Sequence, residues 1–442
     1  MGITMAYSLS VNWANKKVGV LVVNKDTGLL SLKYNDEWRN NGFAISPALS
    51  LDNKHTPASV YNYLDNALPE GDARRLLAQD LGVSEKNVYS QVNALGRDLS
   101  GAITFGENYT QTGQQPKFRL ITEDELIQRL NRKDEFGLLH WDEKPRLSVA
   151  GVQDKLNVFI NNKGQMGFGD GSLCSTHILK FEKNTCPNLV INEYFCMKLS
   201  AAIGLPTAEV EFRRFELHPA LIVRRFDRKF VAQSQRVLRR HVIDGCQALN
   251  LPRDFKYERN FGDSRDVKHI RDGASLIKLF EFCQQTSAPV AAMQWLINWQ
   301  LFNLMINNFD SHGKNVSFYY GNSSAQFTPA YDLVNVAMFN QFKQVLAMAM
   351  GDEFEPHDIH AYQLADFAES CKLDKKLVSS MLIRLADKVL KQLHKNQIIA
   401  TFAATHTLNS AEMDYLDALS ANIKQRTRYL RSQAKDMLTI AV

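Results

Sequence analysis

The order of hydrophobic periods along the chain constrains its fold more than any other feature. Short strand-like runs fill 156–160, 177–181, 208–212 and 220–223, with a helix over 192–203 that Gly204 and Pro206 terminate. After about residue 265 the period becomes helical, over 273–285, 288–308, 360–370, 374–395 and 410–440. Strands followed by helices, rather than alternating with them, point to an α+β architecture in two lobes, one β-rich and one all-helical. Ahead of both, 7–34 reads as a hairpin with turn chemistry at Asn24 to Gly28, and 69–97 as two helices stopped at Gly82 and Gly96. That front part is expected to be an extra small α+β domain. A looser stretch at 108–118 follows it, so the expected division is 1–110, 119–262 and 263–442.

Composition excludes several classes. The 442 residues are 45% hydrophobic and 22% charged, which rules out disorder as the dominant state. No run approaches the ~18 apolar residues a spanning helix needs, and no membrane association is expected. The start lacks a basic segment followed by an apolar one, so no secretory signal is read. The six cysteines form no Cys-x-x-Cys. They are expected to be reduced thiols of a cytoplasmic protein. His357 and His360 have no neighbours that would complete a zinc set. Net charge is only +5, but 211–240 holds nine Lys/Arg against three acids, and a second basic run spans 424–435. Solvated faces or a phosphate-rich partner would both account for these runs.

The chemistry concentrates in Asn307-Asn308-Phe309-Asp310-Ser311-His312-Gly313-Lys314-Asn315, between a long apolar helix and a strand-like Val316 to Tyr320. Asp310 and Asn315 have the D-x-x-x-x-N offset of a kinase catalytic loop. There a carboxylate accepts the proton of an attacking hydroxyl, and a side-chain oxygen holds Mg²⁺. Asp332 follows a turn through Gly321-Asn322-Ser323, a layout that returns a second carboxylate to the first. Upstream, Lys180 stands on an apolar strand, where its ammonium requires an anion unless it reaches solvent from an edge. Glu193 in the next helix is a possible partner for it. Gly167 to Gly171 reads as a string of hairpin turns in preference to a nucleotide loop. Ser148-Val149-Ala150-Gly151-Val152-Gln153-Asp154-Lys155 is the better phosphate cradle, because its small residues let backbone N–H groups approach phosphate oxygens.

Taken together, these residues resemble the HipA family of bacterial serine/threonine protein kinases, the toxins of HipBA-type toxin–antitoxin pairs. The resemblance rests on Ser148 to Gly151 with Gln153 and Lys155, His177 to Lys180, Asn192-Glu193-Tyr194, Arg225-Phe226-Asp227-Arg228, Asp310 with His312, Lys314 and Asn315, and Tyr331-Asp332. It implies a two-lobed, protein-kinase-like fold with the extra N-terminal domain. It further implies Asp310 as catalytic base, Asn315 and Asp332 as Mg²⁺ ligands, and Lys180 on the ATP phosphates. Ala150, Gly151, Val152, Gln153, Asp154 and Lys155 would form the phosphate loop, and Arg224, Arg225 and Phe226 the adenine hinge. His312, Gly313, Lys314 and Tyr331 would complete the nucleotide pocket. Ser148 would be the autophosphorylated residue that switches the kinase off.

The implied partners are a HipB-like helix-turn-helix antitoxin, operator DNA bound through that complex, and glutamyl-tRNA synthetase as protein substrate. Two departures stand out. Arg224 and Arg225 replace an acid-then-basic hinge pair, and Gly313 stands where alanine is common. The C-terminal third matches mainly by helical pattern and Met348-Ala349-Met350-Gly351. Two other functions share these features: a DNA-bound corepressor with weak or no kinase activity, and a small-molecule kinase. The four residues Lys180, Asp310, Asn315 and Asp332 favour the enzyme, since a degenerate kinase would ordinarily have lost one.

Overall fold

The computed structural model describes residues 7–106, 116–133, 138, 140–142, 144–145, 153–322 and 324–442. Ser148, Ala150, Gly151, Val152, Ser323 and most of the 108–118 stretch lie outside them. The chain divides into two compact units. One comprises Met1–Thr185, Glu211–Arg253 and Phe318–Ala325; the other comprises Cys186–Val210, Asp254–Ser317 and Gln326–Val442. The fold is α+β, with a sheet-rich N-terminal part and a helical C-terminal end.

In the sheet-rich unit, β1 (Tyr7–Trp13), β2 (Lys16–Val23) and β3 (Leu30–Tyr34) form a meander, and β4 (Ile103–Phe105) closes it in the order β3-β2-β1-β4. The β2–β3 turn forms because the Asn24 side chain accepts the N–H groups of Asp26 and Thr27. Helices Pro57–Ala67, Gly71–Asp80 and Val88–Leu95 follow. The first begins at Thr56, which caps the Ser59 N–H, with proline at the first helical turn. The third begins later than Ser84 suggests, because Asn87 supplies the cap.

A six-stranded sheet follows, in the order β11-β12-β10-β8-β9-β5. It contains β5 (Lys117–Leu120), β8 (Asp154–Ile160), β9 (Met166–Asp170), β10 (His177–Phe181), β11 (Val210–Phe215) and β12 (His218–Arg224). The short pair β6 (His140–Trp141) and β7 (Lys144–Pro145) lies before β8 in sequence. One sheet face is apolar: Leu156, Val158, Leu179, Phe181, Ala220 and Ile222 pack with Leu126 and Leu130 of helix Glu123–Asn131 and with Trp141. Burial of each large side chain there contributes roughly 1.5–3 kcal/mol before ordering costs.

The expected turn string at Gly167 to Gly171 is instead mostly strand β9. Gly167 is required by close approach, since a Cβ there would stand 2.1 Å from the Arg119 carbonyl oxygen. Only Gly171, at φ +70°, remains a turn residue. The strands β13 (Arg228–Val231) and β14 (Arg236–Arg239) pair with each other. A separate sheet orders β15 (Val242–Asp244), β16 (Ser317–Gly321) and β17 (Ser324–Phe327). His241, just before β15, is buried. Its Nε2 lies 2.8 Å from the Ile45 carbonyl and its Nδ1 accepts the Ala102 N–H. Burial pushes its pKa down to about 4, so it is a neutral strut within this unit.

The helical unit holds Leu189–Ala202, Leu276–Cys283, Pro289–Met305, Ala361–Ser370, Lys375–Lys395, Gln397–Thr405 and Ser410–Asp436. Lys375–Lys395, capped by Asp374, packs along Ser410–Asp436, capped by Asn409. Asn396 at φ +52° separates the former from Gln397–Thr405, a helix the periodicity did not announce. Among the described residues no helix is long and apolar enough to cross a membrane.

Candidate active site

Each unit carries part of the expected site. In the sheet-rich unit, strand alternation puts Lys155, Asn157, Lys180 and Leu221 on the face opposite the apolar core. Lys180 on β10 is directly opposite Lys155 on β8 and Leu221 on β12, and it is only 4% exposed. Strand register thus puts two cationic side chains on one face of the sheet. Asp154 belongs to the other face, where its carboxylate ion-pairs with Lys133 at 3.6 Å. Gln153 is buried immediately before β8.

At the end of β12, Arg224 is exposed while Arg225 turns inward. The Arg225 N–H donates to the Thr176 carbonyl, and its guanidinium holds Asp227 through two 3.0 Å bonds and the Ser175 hydroxyl through one of 2.7 Å. Arg228 binds the same carboxylate at 2.5 Å and the carbonyls of Leu99 and Gly101 at 2.6 and 2.7 Å. Asp227 also accepts the Gly101 N–H. Burial alone would raise the Asp227 pKa, but the flanking guanidiniums hold it well below the usual carboxylate range. The side chain of Arg225 is therefore committed to this cluster, and a nucleotide at this segment would meet backbone. Phe226 packs edge-on to Tyr319, whose hydroxyl donates to the Phe226 carbonyl. The basic run 211–240 is correspondingly no single charged face, since Arg225 and Arg228 are buried and Arg240 stacks on Tyr319.

In the helical unit, helix Pro289–Met305 ends where Asn307 takes φ +53° and the Asn308 N–H returns to the Asn303 carbonyl. Asp310 is exposed, and its Oδ1 accepts the Tyr257 hydroxyl at 2.8 Å. The loop then closes on itself. The His312 N–H donates to the Asp310 carbonyl, and Asn315 Nδ2 donates to the same oxygen at 2.8 Å. That bond leaves Asn315 Oδ1 as an oxygen ligand of the kind a hard cation takes.

The Asp332 segment is tied to this loop. Asn308 Nδ2 donates to the Asp332 carbonyl at 3.3 Å, and the Tyr331 hydroxyl donates to the Lys314 carbonyl at 2.8 Å. The Ser317 and Tyr331 hydroxyls lie 2.6 Å apart. Asp332 itself is held at φ +53°, an uncommon conformation for a side-chain-bearing residue and one frequent at functional turns. Asp310, Asn315 and Asp332 thus belong to one hydrogen-bonded frame. Among the described residues no three His, Cys, Asp or Glu side chains are placed to hold a metal. An amide oxygen and a carboxylate, the groups Asn315 and Asp332 carry, are of the kind a hard cation such as Mg²⁺ takes. Glu193 is fully buried in helix Leu189–Ala202.

Asn308, Tyr257 and the Arg225–Asp227–Arg228 cluster were not anticipated in these roles. The Asn307-Asn308 doublet after an apolar helix was the available signal for the first. Nothing in sequence marks Tyr257, because its role depends on a backbone path that returns to the loop.

A β-rich part carrying paired lysines and a helical part carrying an Asp–Asn loop with a second aspartate define the protein-kinase-like class. Family comparison agrees. The HipA N-terminal domain model matches residues 9–106, and the HipA-like C-terminal domain model matches 147–393. The chain belongs to the HipA family. It is 42% identical over 392 residues to the serine/threonine-protein kinase toxin HipA of Shewanella oneidensis MR-1, covering 88% of this chain and 89% of that one. It is 30% identical over 388 residues to the Sinorhizobium fredii protein Y4mE, named as a kinase, covering 86% and 89%. Its fold matches HipA in the solved complex of Shewanella oneidensis MR-1 HipA, HipB and operator DNA. The TM-score is 0.89 at 39% identity, covering 98% of this chain and 100% of that one.

Proposed function

We propose that the chain is an ATP- and Mg²⁺-dependent serine/threonine protein kinase and the toxin of a type II toxin–antitoxin pair. The carrying observation is the hydrogen-bonded frame that unites Asp310, Asn315 and Asp332. In this reading Asp310 takes the proton of the acceptor hydroxyl, and Asn315 and Asp332 hold Mg²⁺, which neutralises phosphate charge when bound. Lys180 and Lys155 contact the phosphates. Residues 150–155 form the phosphate loop, Asp154 serving through its backbone because its carboxylate is engaged by Lys133. Arg224, Arg225 and Phe226 receive adenine through backbone groups. His312, Gly313, Lys314 and Tyr331 line the nucleotide pocket.

The relative that is 39% identical is seen with HipB and operator DNA, which supports a HipB-like antitoxin and operator DNA as partners here. Glutamyl-tRNA synthetase is the proposed protein substrate. Residues 1–110, 119–262 and 263–442 are proposed as the functional divisions. Ser148 is proposed as the autophosphorylated residue, because a phosphate of about −1.5 to −2 charge beside the ATP phosphates would drive its loop away.

Intact mass and peptide mapping after incubation with Mg²⁺ and ATP test this reading. The expected result is a gain of about 80 Da, one phosphoryl group, on Ser148. An unmodified chain, or modification confined to other residues, contradicts the assigned regulation.

A further inference from the structure

The segment preceding the catalytic loop contains a residue whose backbone is flanked by main-chain hydrogen bonds while its side chain is partly exposed. The Lys256 carbonyl accepts the Gly313 N–H at 2.9 Å, and the Glu258 N–H donates to the Ala347 carbonyl at 3.0 Å. The Glu258 carboxylate accepts the Ala349 N–H at 2.8 Å and Arg271 Nε at 2.7 Å. Gly273 lies so close that a Cβ on it would stand 1.8 Å from the Tyr257 carbonyl oxygen. The main chain on either side of Tyr257 is therefore held by hydrogen bonds and packs closely on Gly273. Its side chain, by contrast, is 38% exposed, with the ring edge-on to His312 at 5.2 Å and the hydroxyl donating to Asp310 Oδ1 at 2.8 Å.

We propose that Tyr257 is an internal stand-in for the acceptor: its hydroxyl occupies a proton-donating position on Asp310 until a serine or threonine hydroxyl displaces it. The inference rests on Asp310 being the base. A general base works only within hydrogen-bond reach of the proton it accepts, and the phenol already uses that reach. Rotation about the two side-chain torsions carries the ring away without moving the backbone, so displacement is a local event. The same contact competes with water for Oδ1 of the exposed Asp310 carboxylate in the absence of acceptor. It suppresses the side reaction in which a water oxygen attacks the γ-phosphorus, the bond to ADP breaks and the water's proton goes to Asp310. Tyr257 is a gate, acting through Asp310 rather than on the phosphate.

Water itself is the probe. ADP release is measured with Mg²⁺ and ATP and no added acceptor, in a Ser148→Ala background so that self-modification does not end the reaction. Adding Tyr257→Phe is expected to raise turnover about three- to tenfold, the range of one ordinary net hydrogen bond, with the KM for ATP unchanged. Tyr257→Ala is expected to do the same, so a folding defect confined to either variant does not decide the result. Unchanged or lower turnover in both variants overturns the proposal, as does phosphate found on Tyr257. If Asp310→Ala in the same background hydrolyses ATP undiminished, the fault lies in the assignment of Asp310 as base, whatever the Tyr257 variants show.

Discussion

Asp310→Ala is expected to leave a folded chain whose phosphoryl transfer falls by a factor on the order of 10²–10⁴, the usual contribution of a positioned general base. The side chain is exposed and hydrogen-bonded to the Tyr257 hydroxyl, so its removal opens no cavity. The loop persists because it is held by main-chain groups: the Asp310 carbonyl still receives the His312 N–H and the Asn315 amide. Transfer to Ser148 and thermal unfolding, measured on one preparation, separate the two effects. Full transfer in the variant would remove Asp310 from its role. Lost transfer with a collapsed unfolding midpoint would mean the carboxylate is structural.

The opposite behaviour is expected at Asp227. Replacement by alanine removes the shared acceptor of two buried guanidiniums and of the Gly101 N–H. Leaving such charges buried and unpaired costs about 3–5 kcal/mol. The segment following β12 and the 98–101 loop are both held by this carboxylate, so the loss falls on the sheet-rich unit. Urea unfolding is the measurement. A midpoint shift worth less than about 1 kcal/mol would show that Asp98, 3.7–3.8 Å from the same guanidiniums, is a sufficient substitute.

What could be read from the sequence, and what could not, divides by the range of the interactions. Strand β10 was legible at its observed bounds because its period-two pattern is local, and helix Ala361–Ser370 was legible for the corresponding reason. Gly167 and Gly169 misled, because a glycine in a strand and a glycine in a turn look alike until the Arg119 carbonyl opposite Gly167 is known. Helix Pro57–Ala67 had its signal in Thr56-Pro57, which the flanking turn residues obscured. At the site, the spacing of Asp310, Asn315 and Asp332 was readable as a pattern. The Asn308 amide that ties Asp332 to the loop was not, since its acceptor is a backbone carbonyl 24 residues away. Arg225 is expected at the adenine hinge, a role its backbone would fill. Its guanidinium goes to Asp227 and Ser175, and the cluster is completed by residues 98–101, whose return no local pattern announces.

The central claim is that the chain binds a magnesium nucleotide and that Lys180 and Asp332 each contribute to that binding. Calorimetric titration of Mg²⁺·ATP into the unaltered chain, Lys180→Met and Asp332→Asn tests it most directly. The account predicts that each substitution weakens binding at least about tenfold, a loss of ~1.4 kcal/mol or more. Affinity unchanged in both variants would contradict it.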